Sequence, residues 1–475
     1  MATNARHSRP MENLNISTYG EKMTENKVWG VPYGSSELPL FGEADVVICG
    51  AGPGGLGAAL AAAWQGAKVL VAEEYGVPGG MAAIAEVHPF MRNHAGSVCN
   101  DAPVYGQWKE AMNRYMPDGM LKKIAHPNDY TCYSINKSAA ALAAEDLLLN
   151  AGVKILYHHS VVGVKKDERN RITGLICHTR GGFGLLRGKC YVDCTGDGNI
   201  AAMAGCPFEQ GDSEGGCQPM TLCFKLSHVD IPFVKGPYGG RLLDQNWKND
   251  LSAAYQQAQK EGKIHCPREN VLIFPFQIGD ENTLHFNTTR VIGYDATNGA
   301  DFSEAEIEGR RQLRELLAWL KAEVPGFAQA RLMSMAVQIG VRESRRIEGL
   351  YKLCMEDFEN CSRFPDAVAR CSYNVDIHSP RGAGTKLVRI KPGDYYEIPY
   401  RCTVPKNCAN LTVGGRPISA DVAMHSSLRI MPCAISIGQG AGMGAAMAAA
   451  QGICPAEVDG CDVRRKLIEF GANLR

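Results

Sequence analysis

Three glycines and a carboxylate carry the first chemistry legible in this chain. Gly50, Gly52 and Gly55 fall in the spacing G-x-G-x-x-G, and Glu73 follows about 20 residues later. The first glycine permits a tight turn. The second lets a pyrophosphate approach the backbone, and the third lets a helix pack closely on the preceding strand. A carboxylate at Glu73 accepts hydrogen bonds from a ribose diol and disfavours a 2′-phosphate; Glu74 is the neighbouring alternative. Together these residues point to a dinucleotide site.

The elements that must hold them can be read around them. Asp45–Cys49 is a short apolar run, enough for one buried parallel strand. The stretch Gly54–Gly66 is Ala-rich, as a helix lying tight on a sheet should be, and its N-terminus offers free N–H groups and partial positive charge to phosphates. Lys68–Ala72 is the second strand, which Glu73 ends. A second glycine pair, Gly79–Gly80, follows in EYGVPGGMAA. An ordinary turn would use such a pair. So would a chain passing close to a flavin ring and its ribityl, as in the glutathione-reductase superfamily.

The residues VLVAEEYGVPGGMAA resemble the large family of FAD-dependent oxidoreductases related to fumarate reductase and succinate dehydrogenase flavoproteins. Further blocks are similar to that group. CYVDCTGD (Cys190–Asp197) looks like the later strand whose T-G-D segment returns to the FAD, and VRESRRIEGL (Val341–Leu350) looks like the central R-E-S-R-R motif. YNVDIH (Tyr373–His378) and YEIPYR (Tyr396–Arg401) are family-like, and Asn410–Gly444 resembles the closing FAD segment. The blocks span roughly residues 44–455, and they say little about substrate.

The resemblance implies an α/β fold: a Rossmann-like FAD-binding domain of the glutathione-reductase type with an inserted mixed α+β substrate domain. It implies FAD at Gly50, Gly52, Pro53, Gly54, Gly55, Glu73, Glu74, Gly79, Gly80 and Met81. It adds Val162, the Thr195–Gly196–Asp197 segment, Gly415, Arg416 and Gly438. The histidine that would attach a flavin covalently is absent beside Gly79–Gly80, where Val77, Pro78, Met81 and Ala82 stand, so the FAD is expected to be noncovalent.

Composition suits a soluble, cytoplasmic enzyme. A chain of 475 residues can bury a large core. Fifty acidic and fifty basic residues give zero formal charge, which offers no electrostatic case for nucleic acid or an anionic membrane. The N-terminus lacks the apolar core of a secretory signal, and no uninterrupted apolar stretch reaches the length of a membrane span. The eighteen cysteines contain no C-x-x-C, so neither a ferredoxin-type cluster nor a thioredoxin motif is indicated. Most read as small buried apolar residues kept reduced. The histidines and acids show no zinc spacing, and no metal site is expected.

The domain order follows. Residues 1–43 read as a loosely structured lead, 44–206 as the first part of the FAD domain, 207–404 as the substrate domain and 405–475 as the closing part. Residues 81–133, rich in Trp, Tyr, His and Pro, read as an insertion near the flavin. Asn136 can cap a helix over Lys137–Asn150, and Val153–Leu156 reads as the third parallel strand. Alternating runs over Ser160–Val192 suit an antiparallel meander. Met220–Asp230 and Asn282–Val291 read as strands, and Ser303–Val324 as a helix with Leu313, Leu316, Leu317 and Leu320 inward. Gly438, Gly440, Gly442 and Gly444 suit a helix packed tightly on a neighbour rather than a second nucleotide fingerprint.

With no nicotinamide domain, electrons should enter or leave through a small-molecule substrate, an external carrier or oxygen; an oligomer is open. HSSLR (His425–Arg429) loosely resembles the H-G-x-N-R stretch of fumarate reductases, in which the arginine binds a substrate carboxylate. Ser426 and Leu428 depart from that pattern, which puts a fumarate-like reaction in doubt. His378, His425 and Arg429 are the catalytic candidates, since histidine can take a proton as a flavin takes a hydride. His88 and His94 are weaker ones. Arg342, Glu343, Arg345 and Arg346 form either an ion-pair network or an anion clamp. The function expected is a hydride transfer between a small organic substrate and flavin N5. The alternatives are a thiazole-synthase-like or tRNA-modifying flavoprotein, or a dinucleotide-binding non-enzyme.

Overall fold

Strand β1 (Leu40–Cys49), helix α1 (Pro53–Trp64) and strand β2 (Val69–Glu73) build the first unit of a computed structural model that describes residues 38–116, 136–235, 241–276 and 282–475. The expected lead lies outside the described residues up to 37, and the expected insertion leaves them at 117. β1 begins earlier than the apolar run suggested, because Leu40–Ala44 already pairs with Leu185–Gly188. α1 starts with Pro53 at its first turn, where the missing N–H costs nothing, and the chain leaves it through Gly66 at φ +91°.

Five further strands complete the seven-stranded sheet: β3 (Lys154–Tyr157), β4 (Ser160–Lys166), β5 (Ile172–Thr179), β6 (Gly182–Asp193) and, late in the chain, Leu411–Val413. The parallel part has the order β3-β2-β1-β6, with Leu411–Val413 beyond β6. The twelve-residue β6 is shared. Its first half carries β5 and then β4 antiparallel, and its last residues, Tyr191–Asp193, pair in parallel with Leu411–Val413. The alternating runs therefore form the expected meander, but its last strand and the T-G-D strand are one. Helix Lys137–Asn150 is capped by Asn136, whose side chain accepts from the N–H groups of Ser138 and Ala139. This is a Rossmann-like sheet, with α1, Lys137–Asn150 and Met431–Gln451 on one face and the meander on the other.

Helix Met431–Gln451 closes the layer and is almost wholly enclosed by the fold. It is the one described helix long and apolar enough to cross a bilayer, and its burial gives it a core role here. A Cβ on Gly438 would lie 2.0 Å from the carbonyl O of Gly54, and one on Gly442 would lie 2.1 Å from that of Ala58. Gly440 and Gly444 instead meet Val368 and Tyr400. The four glycines thus serve two packing faces. Gly438→Ala should destabilise the protein by about 2–3 kcal/mol or more, since neither backbone can yield; a thermal melt within error of wild type would refute this.

A second sheet lies in the middle of the chain. Its antiparallel order is Ile273–Pro275, Leu284–Phe286, Phe224–Ser227, Arg331–Met335. Helix Gly299–Glu323 packs Leu313, Leu316 and Leu320 into the same core, which runs from Met220 to Val341. Leu317 is half-buried at its margin. Residues beyond Val341, including Ile347, Ala369, Tyr396 and Ile398, pack instead with Val47, Leu70 and Tyr191 of the first sheet. Two short ribbons carry the family-like segments there: Ala367–Cys371 against Tyr396–Pro399, and Val375–His378 against Thr385–Val388.

Candidate functional site

A cleft of about 460 Å³ opens where the glycine turns of the first sheet face the second sheet. Gly50, Gly52, Pro53, Gly54 and Gly80 line one end, and Thr221, Arg268, Phe274 and Asn287 line the other.

The glycines at the first end do different work. Gly50 stands at φ +95°, and a Cβ there would meet the carbonyl O of Cys194 at 2.4 Å. A Cβ on Gly55 would meet the carbonyl O of Gly50 at 1.9 Å, so Gly55 lets α1 sit on its own turn. Gly52 differs. Its backbone is extended, and a Cβ would meet nothing closer than the Cα of Gly80 at 3.6 Å. The space above Gly52 is open cleft beside the N-terminus of α1, which suits a pyrophosphate. Gly79 donates its N–H to the carbonyl O of Ala51 at 2.8 Å and so pins the second glycine turn to the first.

Glu73 is buried at the end of β2. Its Oε2 accepts from the N–H of Ala51 at 2.6 Å and its Oε1 from that of Tyr75 at 3.0 Å. Each oxygen keeps a lone pair for a ribose hydroxyl. Burial pushes the Glu73 carboxyl up to about 7, against the lowering effect of those two N–H bonds. Ribose hydroxyls donate best to the ionised form. FAD affinity should therefore fall as pH drops below 7, by up to about tenfold per unit, as Glu73 takes up its proton. Glu73→Gln should flatten that dependence. Titration of flavin-free protein with FAD between pH 5.5 and 8.5 checks both statements.

The T-G-D loop is clamped rather than loose. Asp193 accepts from the hydroxyl of Thr195 at 2.7 Å and the N–H of Ala201 at 2.9 Å. Arg416 donates to Gly196 O at 2.9 Å, to Val341 O at 2.6 Å and to the Asp197 carboxylate. Ser344 donates to Asp197 at 2.7 Å, and Arg345 to Asn199 at 2.9 Å. Arg346 pairs with Glu343, both buried. The R-E-S-R-R group therefore divides: Glu343 and Arg346 form a buried ion pair, Arg345 donates to Asn199 and to the Asp197 carbonyl, and Arg342 alone of the four charged residues faces the cleft.

At the other end, Asp376 and His378 project on one face of Val375–His378, two residues apart. His378 Nε2 lies 3.5 Å from Asp376 Oδ2, and its Nδ1 lies 3.1 Å from the Thr385 hydroxyl and 3.5 Å from an Arg290 nitrogen. Arginine only donates, so Nδ1 is the accepting nitrogen and Nε2–H points at Asp376. Burial, together with Arg342 and Arg429, pushes His378 down to about 3. Burial also works to raise Asp376, but His378, Arg429 and Arg342 outweigh it and hold the carboxyl below its ordinary range. Arg429 donates to Asp376 O at 3.2 Å, and Arg342 to Pro219 O at 2.7 Å and to the Thr221 hydroxyl.

Fifteen expected residues thus meet at one cleft: Gly50, Gly52, Pro53, Gly54, Glu73, Glu74, Gly80, Met81, Thr195, Gly196, Asp197, Gly415, Arg416, His378 and Arg429. Five lie behind it or away from it. Gly55, Gly79 and Gly438 shape the backbone approaches just described. Val162 is exposed, and its neighbour Val161 takes the cleft-facing place on β4, since strand side chains alternate. His425 does not line the cleft: it is wholly buried in helix Val422–Leu428, and neither ring nitrogen has a partner. Burial, then Arg416, Arg346 and Arg429, drives it well below the ordinary histidine range, so it stands as a neutral core residue. Of the weaker candidates, His88 lines the cleft and packs on His285 with ring centroids 4.7 Å apart, and His94 does not line it. Asp376, Tyr373 and Arg268 went unseen. Asp376 could have been found from its alternation with His378; nothing in the sequence marks Arg268.

This fold and cleft are those of a dinucleotide-binding flavoprotein. The model of the FAD dependent oxidoreductase family matches residues 45–467, and the chain belongs to that family. FAD is its cofactor, and oxidation–reduction its class of chemistry. Among curated proteins no sequence relative matches. Solved structures similar to it include a geranylgeranyl bacteriochlorophyll reductase-like protein from Thermoplasma acidophilum, at 13% identity and TM-score 0.45, covering 91% of this chain and 84% of that one. The flavin-dependent brominase Bmp2 is similar at 14% and 0.44, covering 90% and 83%. The p-nitrophenol 4-monooxygenase PnpA from Pseudomonas putida DLL-E4 is similar at 14% and 0.43, covering 91% and 87%.

Proposed function

We propose that this FAD-dependent oxidoreductase moves a hydride between a small organic substrate and flavin N5. The observation that carries the reading is the meeting, in one cleft, of the glycine turns with the Asp376–His378 pair and a group of arginines. Bound FAD would supply the two-electron carrier. Gly52, the α1 N-terminus and Glu73 hold its phosphates and ribose. Residues from the 207–404 segment hold the substrate over it. His378, neutral at physiological pH, exchanges the proton that accompanies the hydride at its accepting nitrogen Nδ1, and Asp376 fixes the ring through Nε2–H. The second half-reaction uses a second small molecule, an external carrier or oxygen. The reading includes noncovalent FAD and a cytoplasmic setting. Kinship with fumarate reductase flavoproteins rests on the quoted motifs alone.

The experiment is an anaerobic screen of the purified yellow protein. Bleaching of the flavin band by a substrate, or its return when an oxidised substrate meets dithionite-reduced enzyme, supports hydride transfer. A flavoprotein that no organic substrate bleaches or reoxidises sinks it and favours the non-redox alternatives.

A further inference from the structure

The charged groups of the cleft are segregated. At the glycine end stand Glu73, Glu74, Asp197 and Arg416, and Arg416 is bound to Asp197. At the far end Arg268, Arg342 and Arg429 face the cleft with a single carboxylate, Asp376. Arg290 lies just behind, committed to the carbonyl oxygens of Gly382, Ser379 and Gly384. The far end therefore holds two more cationic than anionic groups, three arginines against one aspartate.

These guanidiniums are not used up by the protein. The Nε atoms of Arg268 and Arg429 are buried without a hydrogen-bond partner. Arg342 is fixed by one nitrogen, while the other reaches Asn287 only at 3.4 Å. Burial, and after it the charges of Arg429 and Arg268, pushes Arg342 down to about 9. Desolvated like charges with spare donors are costly unless an anion joins them. The pyrophosphate already has a cradle at the other end, over Gly52. Leu272, Phe274 and Val341 give the same region an apolar surface.

We propose that Arg268, Arg342 and Arg429 form the receptor for a carboxylate head on the substrate, which is a small organic acid with an apolar body. This rests on the hydride-transfer reading of the cleft and specifies its substrate class. Arg268 and Arg342 stand outside the HSSLR segment, and Arg268 belongs to no motif, so the receptor is a product of the fold.

The test uses the FAD-loaded enzyme and matched pairs of probes: benzoate against benzamide, and butyrate against butyramide, at constant ionic strength. Binding is read from the perturbation of the flavin absorption band. At least one acid should bind about tenfold or more tighter than its amide, the scale of a charge-assisted hydrogen bond. Arg268→Gln should remove that preference while keeping one FAD per chain; the acid–amide comparison in the wild type stands even if this variant fails to fold. Amides that bind as well as acids, no acid binding at millimolar concentration, or an unchanged preference in Arg268→Gln would overturn the proposal. Loss of FAD from a folded Arg268→Gln protein would assign the cluster to the cofactor, and overturn it as well. The two readings fail separately. An enzyme that binds acids yet is bleached by no substrate keeps the receptor and loses hydride transfer. One bleached only by neutral substrates does the reverse.

Discussion

Gly52→Val should give a folded protein that cannot hold FAD. Gly52 has φ −71° and ψ −173°, a conformation open to any residue. A Cβ there makes only an ordinary contact, 3.6 Å to Gly80 Cα, so the chain itself has no objection to a side chain. What the valine occupies is the cleft, over the N-terminal turn of α1, where the pyrophosphate must meet the backbone. We expect FAD affinity to fall by roughly 10³-fold or more, with circular dichroism and melting temperature of the flavin-free forms unchanged. The comparison with Gly55→Val makes the result diagnostic. There the Cβ would lie 1.9 Å from a carbonyl oxygen, and the expected outcome is loss of the fold. Full FAD occupancy in Gly52→Val would move the pyrophosphate elsewhere.

His378→Asn should keep FAD and the fold but slow flavin reduction by substrate roughly 10²–10⁴-fold, the usual cost of losing a positioned acid or base. The ring faces the cleft with Nε2–H aimed at Asp376, and its backbone N–H is held by Gln218 at 3.1 Å, so the strand should survive the change. The pH profile adds a second readout. A histidine at about 3 is already neutral across the working range. The kcat/KM of the free enzyme should then show no inflection near 6.5, where an unperturbed histidine would place one. As pH falls through about 3 the imidazole gains its proton and a base role is lost. His425→Ala serves as the contrast: it empties a buried site and should lower stability with little effect on the reduction rate. Stopped-flow rates near wild type in His378→Asn would move the chemistry to Asp376 or to another cleft residue.

Much of the nucleotide end was legible because local chemistry dictates it. The turn glycines, the Ala-rich helix and the acid closing β2 each answer to a constraint within a few residues, and the structure puts them in the expected register. The tight closing helix was equally readable from its glycines. The substrate end was not. Arg268 reaches the cleft from a stretch without regular structure, and only the pairing of distant strands brings it opposite Arg342. Val162 shows how fragile strand reasoning is: a one-residue slip exchanges the cleft face for solvent. His425 and Arg429 share one segment, yet the helix buries the first and leaves the second at the cleft. A motif match cannot supply that rotation.

The contact between α1 and Met431–Gln451 has a consequence for biosynthesis. The two helices touch backbone to backbone, yet nearly the whole chain separates them. β6 likewise pairs with Leu411–Val413 across a long stretch of chain, from Asp193 to Leu411. A nascent chain that has emerged only to the second sheet therefore carries a first βαβ unit with one side of α1 bare. Loop closure over such a distance is slow, and the exposed apolar face is prone to wrong partners meanwhile. The face of α1 that meets Met431–Gln451 is covered only once the last part of the chain has been made, so this layer of the fold is completed late.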